Sequence, residues 1–209
     1  MYRLATLLLE QTADDHRGSK SQVPLEDREA LHDEALQLLL TAAQSGGIVD
    51  AHAAIGELLE TSALLRDRSA ALRFLLKAAN APHKPHGRAA KRAADMLYSG
   101  IGCPVNKAQA HRLYSIAGDC GDAEALNALG LMHEEGDGCE LDFNAAATCF
   151  RRGAELHNAH AHFNLGILLA HGKGVARNLE AAQAHFERAV ALGYDLARDF
   201  LRAPLERPS

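Results

Sequence analysis

The feature that most restricts the fold of this chain is a self-similarity with a period of 36 residues. Repetition at this length means stacked supersecondary units rather than one irregular domain. When Asp122–His157 is laid over Asn158–Gly193, eleven positions match. They are Ala123/Ala159, Ala125/Ala161, Leu129/Leu165, Gly130/Gly166, Gly136/Gly172, Gly138/Gly174, Ala145/Ala181, Ala146/Ala182, Phe150/Phe186, Arg152/Arg188 and Leu156/Leu192. One further step back, over His86–Gly121, Gly100, Gly102, Cys103 and Ala110 fall on Gly136, Gly138, Cys139 and Ala146, and Tyr114 falls on Phe150. Two earlier copies are weaker. Gly56 answers to Gly130, and Phe74-Leu75 with Lys77-Ala78-Ala79 answers to the later helix end. Leu4-Ala5 and Leu38-Leu39 with Ala42-Ala43 fill the same slots in the first copy. The expected organisation is one unit over residues 1–209, with repeats at approximately 1–47, 48–85, 86–121, 122–157 and 158–193 and a cap over 194–203.

Each copy reads as two helices. In the fifth, apolar residues recur along Phe163, Leu165, Ile167, Leu168 and Leu169, then along Leu179, Ala182, Phe186 and Ala189, and both runs fit helical spacing. The glycine pair Gly172 and Gly174 ends the first helix, because a left-handed C-cap costs glycine nothing. A small polar residue at one phase, Asn106, Asp142 or Asn178, with Asp67 in the second copy, is placed to cap the second helix. The Gly or Ala at the centre of the first helix (Gly56, Ala94, Gly130, Gly166) calls for another explanation. A glycine there costs about 1 kcal/mol relative to alanine. Close approach of the paired helix is the expected return.

Composition agrees. Apolar residues make up 47% of the chain, aromatics only 5%, and Trp is absent, which suits helices better than a β-sandwich or barrel. The expected class is therefore all-α: a solenoid of about five helix-turn-helix repeats with a C-terminal capping helix. The net charge of −5 argues against sequence-independent nucleic-acid binding, which needs many phosphate-neutralising cations. Leu4–Leu9, closed by Glu10, is too short for a membrane span and lacks the small-residue cleavage site expected of a signal peptide, and no Asn-x-Ser/Thr sequon occurs. Four Cys without a Cys-x-x-Cys pair are read as reduced thiols. The expected address is cytoplasmic or an organellar matrix, the mitochondrial one included, and not secreted.

The pattern A-x-x-x-L-G, G-x-G, a polar cap, A-A and an aromatic resembles the Sel-one-like repeat, a tetratricopeptide-like helical hairpin. In this chain it stands as Ala125, Leu129-Gly130, Gly136-x-Gly138, Asp142, Ala145-Ala146 and Phe150. Copy five repeats it as Ala161, Leu165-Gly166, Gly172-x-Gly174, Asn178, Ala181-Ala182 and Phe186. Departures occur. Copy two has residues 62–66 where the glycine pair belongs, and copy one inserts a polar stretch from Thr12 to Val23. The Trp usual in the family before the second-helix aromatic is Phe74, Leu113, Cys149 and His185 here. The resemblance implies a right-handed superhelix of stacked helix pairs, less regular in the early copies.

Candidate chemistry is sparse. Of twelve His, the densest set is His157, His160 and His162, with His133, His171 and His185 in adjoining elements. Pairs at i, i+3 can hold zinc, but no Cys or carboxylate completes a ligand set at a recognisable spacing. These are read as core-edge and surface histidines, with no metal and no cofactor expected. Cys103 and Cys139 share a post-glycine slot that Val175 fills in copy five, so a small buried apolar role is preferred over a redox pair. Gly166 and Gly172-Lys173-Gly174 give a spacing one residue too long for a Walker loop, and no Ser or Thr follows the Lys. No G-x-S-x-G elbow exists, so no catalytic residue is assigned. A basic run, Lys84, Arg88, Lys91 and Arg92, opens copy three and is read first as a solvated face.

Repeat solenoids present an extended concave surface, lined in tetratricopeptide-like folds by the first helices. Carrying the phase along the copies predicts a stripe. It starts at Arg3, Thr6, Glu10, Asp50 and Glu57, and continues through Arg88, Arg92, Asp95, Glu124, Leu131, Glu135, His160, Asn164, Ile167 and His171. Mixed charge with a few apolar points suits recognition of a protein partner through a peptide or helix. The expectation is a non-catalytic adaptor or scaffold. Alternatives are an organellar assembly factor in a larger complex and, more remotely, a β-lactam or cell-wall-ligand hydrolase like some cysteine-rich secreted relatives of the family. The Cys pattern needed for that last class is absent.

Overall fold

The structure, a computed structural model, describes residues 1–12, 25–46, 49–61 and 67–202. Most of the insertion between Thr12 and Val23, the connection 62–66, and residues 203–209 with both C-terminal prolines lie outside the described residues. The described residues are all-α. They form α1 (Tyr2–Thr12), α2 (Leu25–Gly46), α3 (Val49–Thr61), α4 (Arg68–Ala79), α5 (Gly87–Ser99), α6 (Lys107–Asp119), α7 (Ala123–Glu135), α8 (Phe143–Glu155), α9 (Ala159–His171), α10 (Leu179–Ala191) and α11 (Ala197–Arg202). Consecutive helices pack as hairpins, α1 with α2 through α9 with α10, and each hairpin stacks on the next. The irregular member is the first, where α2 runs 22 residues against the 13 of α5 to α10. The first helices also approach one another, α3 to α5 and α7 to α9, which makes them the inner row.

The polar caps expected for the second helices are present. Backbone N–H groups of Ala70, Gln109, Ala145 and Ala181 donate to Asp67, Asn106, Asp142 and Asn178 at 2.9, 3.0, 3.0 and 3.0 Å. The first helices are capped too, by Asp122, Asn158 and the Nδ1 of His86. Each such bond satisfies one of the donors a helix start leaves open and contributes about 1 kcal/mol.

The central glycines do allow close approach. A Cβ on Gly166 would sit 2.7 Å from the ring of Phe186, and one on Gly56 would sit 2.6 Å from Leu75. Gly130 is covered in the same way by Phe150, and Phe150 and Phe186 are fully buried. The two glycines of each pair have different tasks. Gly136 (φ 73°) is the left-handed C-cap of α7 and bonds back to Met132. Gly138 (φ 73°) instead lies against the backbone of Lys107, the first residue of α6 in the preceding hairpin, at 2.5 Å from where its Cβ would be. Gly102 meets Arg68 and Gly174 meets Phe143 in the same relation. The first glycine ends a helix; the second spaces two hairpins.

At the far end α11 covers the fifth hairpin. The Phe200 ring lies 5.1 Å edge-on from that of Phe163 and 5.2 Å, tilted, from that of Phe186, with Tyr194 beside Phe163 at 5.0 Å. Beneath this, the Nδ1 atoms of His162 (α9) and His185 (α10) lie 2.9 Å apart. Burial, then the neighbouring His185, Arg188 and His157, push His162 down from 6.5 to about 4, against a small opposing effect from the Ala154 backbone. Burial and the Arg151 charge push His185 down as well. Finally, His157 has φ 61°, in the slot where the neighbouring hairpins place Gly121 and Gly193 with φ 90° and 92°.

Three predictions follow from this packing. Gly166→Leu forces a side chain into the Phe186 ring and lowers stability by about 2 kcal/mol, read by chemical denaturation; a variant as stable as wild type overturns the close-approach role. His157→Gly removes a left-handed non-glycine and raises stability by up to about 1 kcal/mol in the same assay. The unfolded chain takes up protons near pH 6.5 that native His162 refuses until about pH 4. Stability is therefore level above pH 6.5 and falls as the pH drops from there toward 4. Between pH 7 and 5 the half-exposed His162 accounts for a loss on the order of 1 kcal/mol. His162→Leu, which copies Leu126 of the preceding hairpin, should flatten that slope; an unchanged slope assigns it to other groups.

Candidate binding groove

The expected stripe falls on the first helices, and part of it converges. A groove of about 650 Å³ lies across α3, α5 and the start of α7, lined by Glu60, Arg88, Lys91, Arg92, Asp95, Asp122, Ala123 and Glu124. Its charges are paired across helices. Arg88 Nε lies 3.0 Å from Glu57 Oε1. Arg92 reaches Glu57 at 3.6 Å and Glu60 at 2.8 Å, through both Nη2 and Nε. Lys91 Nζ lies 2.8 Å from Glu124 and 3.4 Å from Asp95. The basic run is therefore more than a solvated face: Arg88 remains exposed, but three of the four members are tied to carboxylates of α3, α5 and α7. Lys84 departs from them and lines a separate hollow with His83, Pro85, Ile116, Asp119 and Cys120.

Electrostatics follow the geometry. The hydrogen bond to Glu124 is the largest influence raising Lys91, and the same contact holds Glu124 below the usual carboxylate range, with His160 adding to it. Tyr114 (α6) donates its hydroxyl to Asp95 at 2.7 Å, and burial followed by that bond raises the phenol far above its ordinary value. Exposed and half-exposed pairs of this kind are worth about 0–1 kcal/mol each. The apolar core, not the pairs, holds the helices together.

The remaining stripe residues are scattered along α7 and α9. Asn164 donates to Asn127 Oδ1 at 2.9 Å, continuing the polar stitching from α7 to α9. His160 faces Tyr194 at 4.7 Å, while Leu131, Glu135 and His171 are exposed. Ile167 does not stand free on the surface as expected: it is partly buried against the Phe186 cluster. Glu60, Lys91 and Asn127 take part in these contacts without belonging to the expected stripe. Lys91 and Glu60 each sit one helical turn from a member, at i+3 from Arg88 and Glu57, which was the available clue.

The histidine set does not gather. His160 pairs with Tyr194, His162 with His185, and His133 with His111 of α6. Cys103 and Cys139 each turn toward a carbonyl of their own hairpin, Met96 and Met132, at 3.7 and 3.4 Å. Cys149 is buried, which raises its thiol to about 11. Among the described residues no helix is long and apolar enough to cross a membrane.

Known proteins share this architecture. The chain is 33% identical over 82 residues to the ERAD-associated E3 ubiquitin-protein ligase component HRD3B of Arabidopsis thaliana, covering 39% of this chain and 14% of that protein. It is 32% identical over 84 residues to protein sel-1 homolog 2 of Homo sapiens, covering 40% and 12%. The chain thus matches only a small part of either relative's length. Among solved structures, the protective antigen c5321 of uropathogenic Escherichia coli, which displays an SLR fold, superposes with a TM-score of 0.80 at 20% identity over 96% of this chain and 40% of that one. A Sel1 repeat protein from Oxalobacter formigenes gives 0.71 at 22% identity, over 96% and 75%. These likenesses show the fold alone. The Sel1 repeat profile matches residues 49–83, 87–122, 123–158 and 159–194, well over half of the sequence, and the chain belongs to the Sel1 repeat family.

Proposed function

We propose that this chain is a non-catalytic adaptor that holds a segment of a partner protein along its inner row of first helices. Sel1 repeats generally serve as protein-interaction scaffolds, and one relative is by its name a component of a ubiquitin-ligase assembly. The observation that carries the reading is the polar seam. Cross-helix pairs run from α3 to α5 and from α5 to α7 along a groove that is open to solvent, and the Asn127–Asn164 bond continues the seam from α7 to α9 beyond it. Such pairs contribute little to stability, so a partner's charges can replace them at small cost while fixing register and excluding wrong partners. The groove carries three cations (Arg88, Lys91, Arg92) against the carboxylates Glu57, Glu60, Asp95, Asp122 and Glu124. A segment with alternating signs and at least one basic side chain complements that balance.

The test is affinity purification from native lysate, followed by calorimetry on the partner so identified. Arg88→Glu/Arg92→Glu should weaken binding at least tenfold with a similar melting temperature. Arg112→Glu, on the exposed side of α6, serves as the matched control and should bind as wild type. Equal affinity for the groove variant and the control would place the binding surface elsewhere.

A further inference from the structure

At the junction between the third and fourth hairpins, three side chains with metal-binding chemistry meet. His111 Nε2 (α6) lies 3.2 Å from His133 Nε2 in the last turn of α7. Cys139 Sγ, in the α7–α8 loop, lies 3.7 Å from His133 Nδ1. One ligand atom from each of the three falls within 4.8 Å of the others, and all three side chains are half-buried. Zinc bonds of about 2.0–2.1 Å to nitrogen and about 2.3 Å to sulfur call for ligand separations close to the two observed contacts. His133 turns a different nitrogen to each neighbour. A single ion uses one of them, so a rotamer adjustment of His133 or His111 completes the set.

The fold does not require these residues. The same slots one period on are Ala147, Leu169 and Val175, and there they pack together in an apolar cluster. The frame therefore closes a junction without polar atoms, while this junction places two imidazoles and a thiol in that space. Half-burying such groups is unfavourable unless something engages them, and here the imidazoles engage each other while the thiol engages His133 and the Met132 carbonyl. The nearby carboxylate of Asp137 does not, being held by Lys107 at 2.7 Å and Tyr98 at 3.0 Å.

We propose that His111, His133 and Cys139 form a zinc site that clamps the third hairpin to the fourth, with the fourth coordination position left to water. Two nitrogens and a thiolate suit this borderline-soft ion better than magnesium or calcium.

The experiment uses the full chain, untagged and reduced. Zinc chloride is titrated by calorimetry, and cobalt(II) is added separately to read its absorption. One equivalent of zinc is expected at micromolar or lower dissociation constant, with a sulfur-to-cobalt charge-transfer band. His111→Ala, His133→Leu and Cys139→Val each restore the neighbouring junction's residue, so each should fold while binding zinc at least tenfold more weakly. Cys139→Val should also lose the band. His185→Gln and Cys120→Ser should retain both properties. Absence of zinc binding in the wild type, or binding and a cobalt band unaffected by the three junction variants, overturns the site and leaves His111–His133 as a hydrogen-bonded pair.

Discussion

A large buried apolar side chain lying on a helix with no side chain beneath it is the contact on which this architecture rests. Phe150 covers Gly130, Phe186 covers Gly166, and Leu75 covers Gly56. Without a Cβ on the first helix, the second comes close enough for the covering side chain to be fully enclosed. The helix-propensity cost of each glycine is about 1 kcal/mol, whereas complete burial of a large apolar side chain returns roughly 1.5–3 kcal/mol. The balance favours the glycine only in a hairpin that is itself covered by neighbours, which is why these units occur stacked.

The apolar core and the charged surface pairs are built from different atoms. Alanine, leucine and the two phenylalanines fill the space between helices, and the charged residues of α3, α5 and α7 pair above it. Arg92, only 20% exposed, is the most enclosed of the charges, yet both of its partners belong to the adjacent first helix and none to the core. Substitutions among these charges thus leave the packing between helices in place.

Much of this was legible in the sequence because periodicity reports geometry directly. The second-helix caps at Asp67, Asn106, Asp142 and Asn178 and the central glycines recur at one phase, and each has a local physical cause that requires no knowledge of distant contacts. What escaped depends on where one hairpin meets another. Gly136 and Gly138 look alike in sequence, yet one caps a helix and the other meets the backbone of Lys107. Arg88 and Arg92 read as an open basic face because Glu57 and Glu60 lie on a different helix. His111, His133 and Cys139 belong to two repeats and follow no ligand spacing. The clue was a comparison of phases, in which polar residues replace Ala147, Leu169 and Val175.

The backbone contact made by the second glycine of each pair also bears on how such a chain changes over time. Gly138 and Gly174 set the distance between hairpins by main chain against main chain, and Gly102 does so against the Cβ and main chain of Arg68. The pitch of the superhelix is consequently written in atoms that side-chain substitution does not touch. A lineage can rewrite every residue of its inner row and keep the curvature of the surface that presents them. It can lengthen or shorten that surface by whole units, since each junction is gauged locally and carries no reference to its place in the array. Shape is inherited here separately from chemistry.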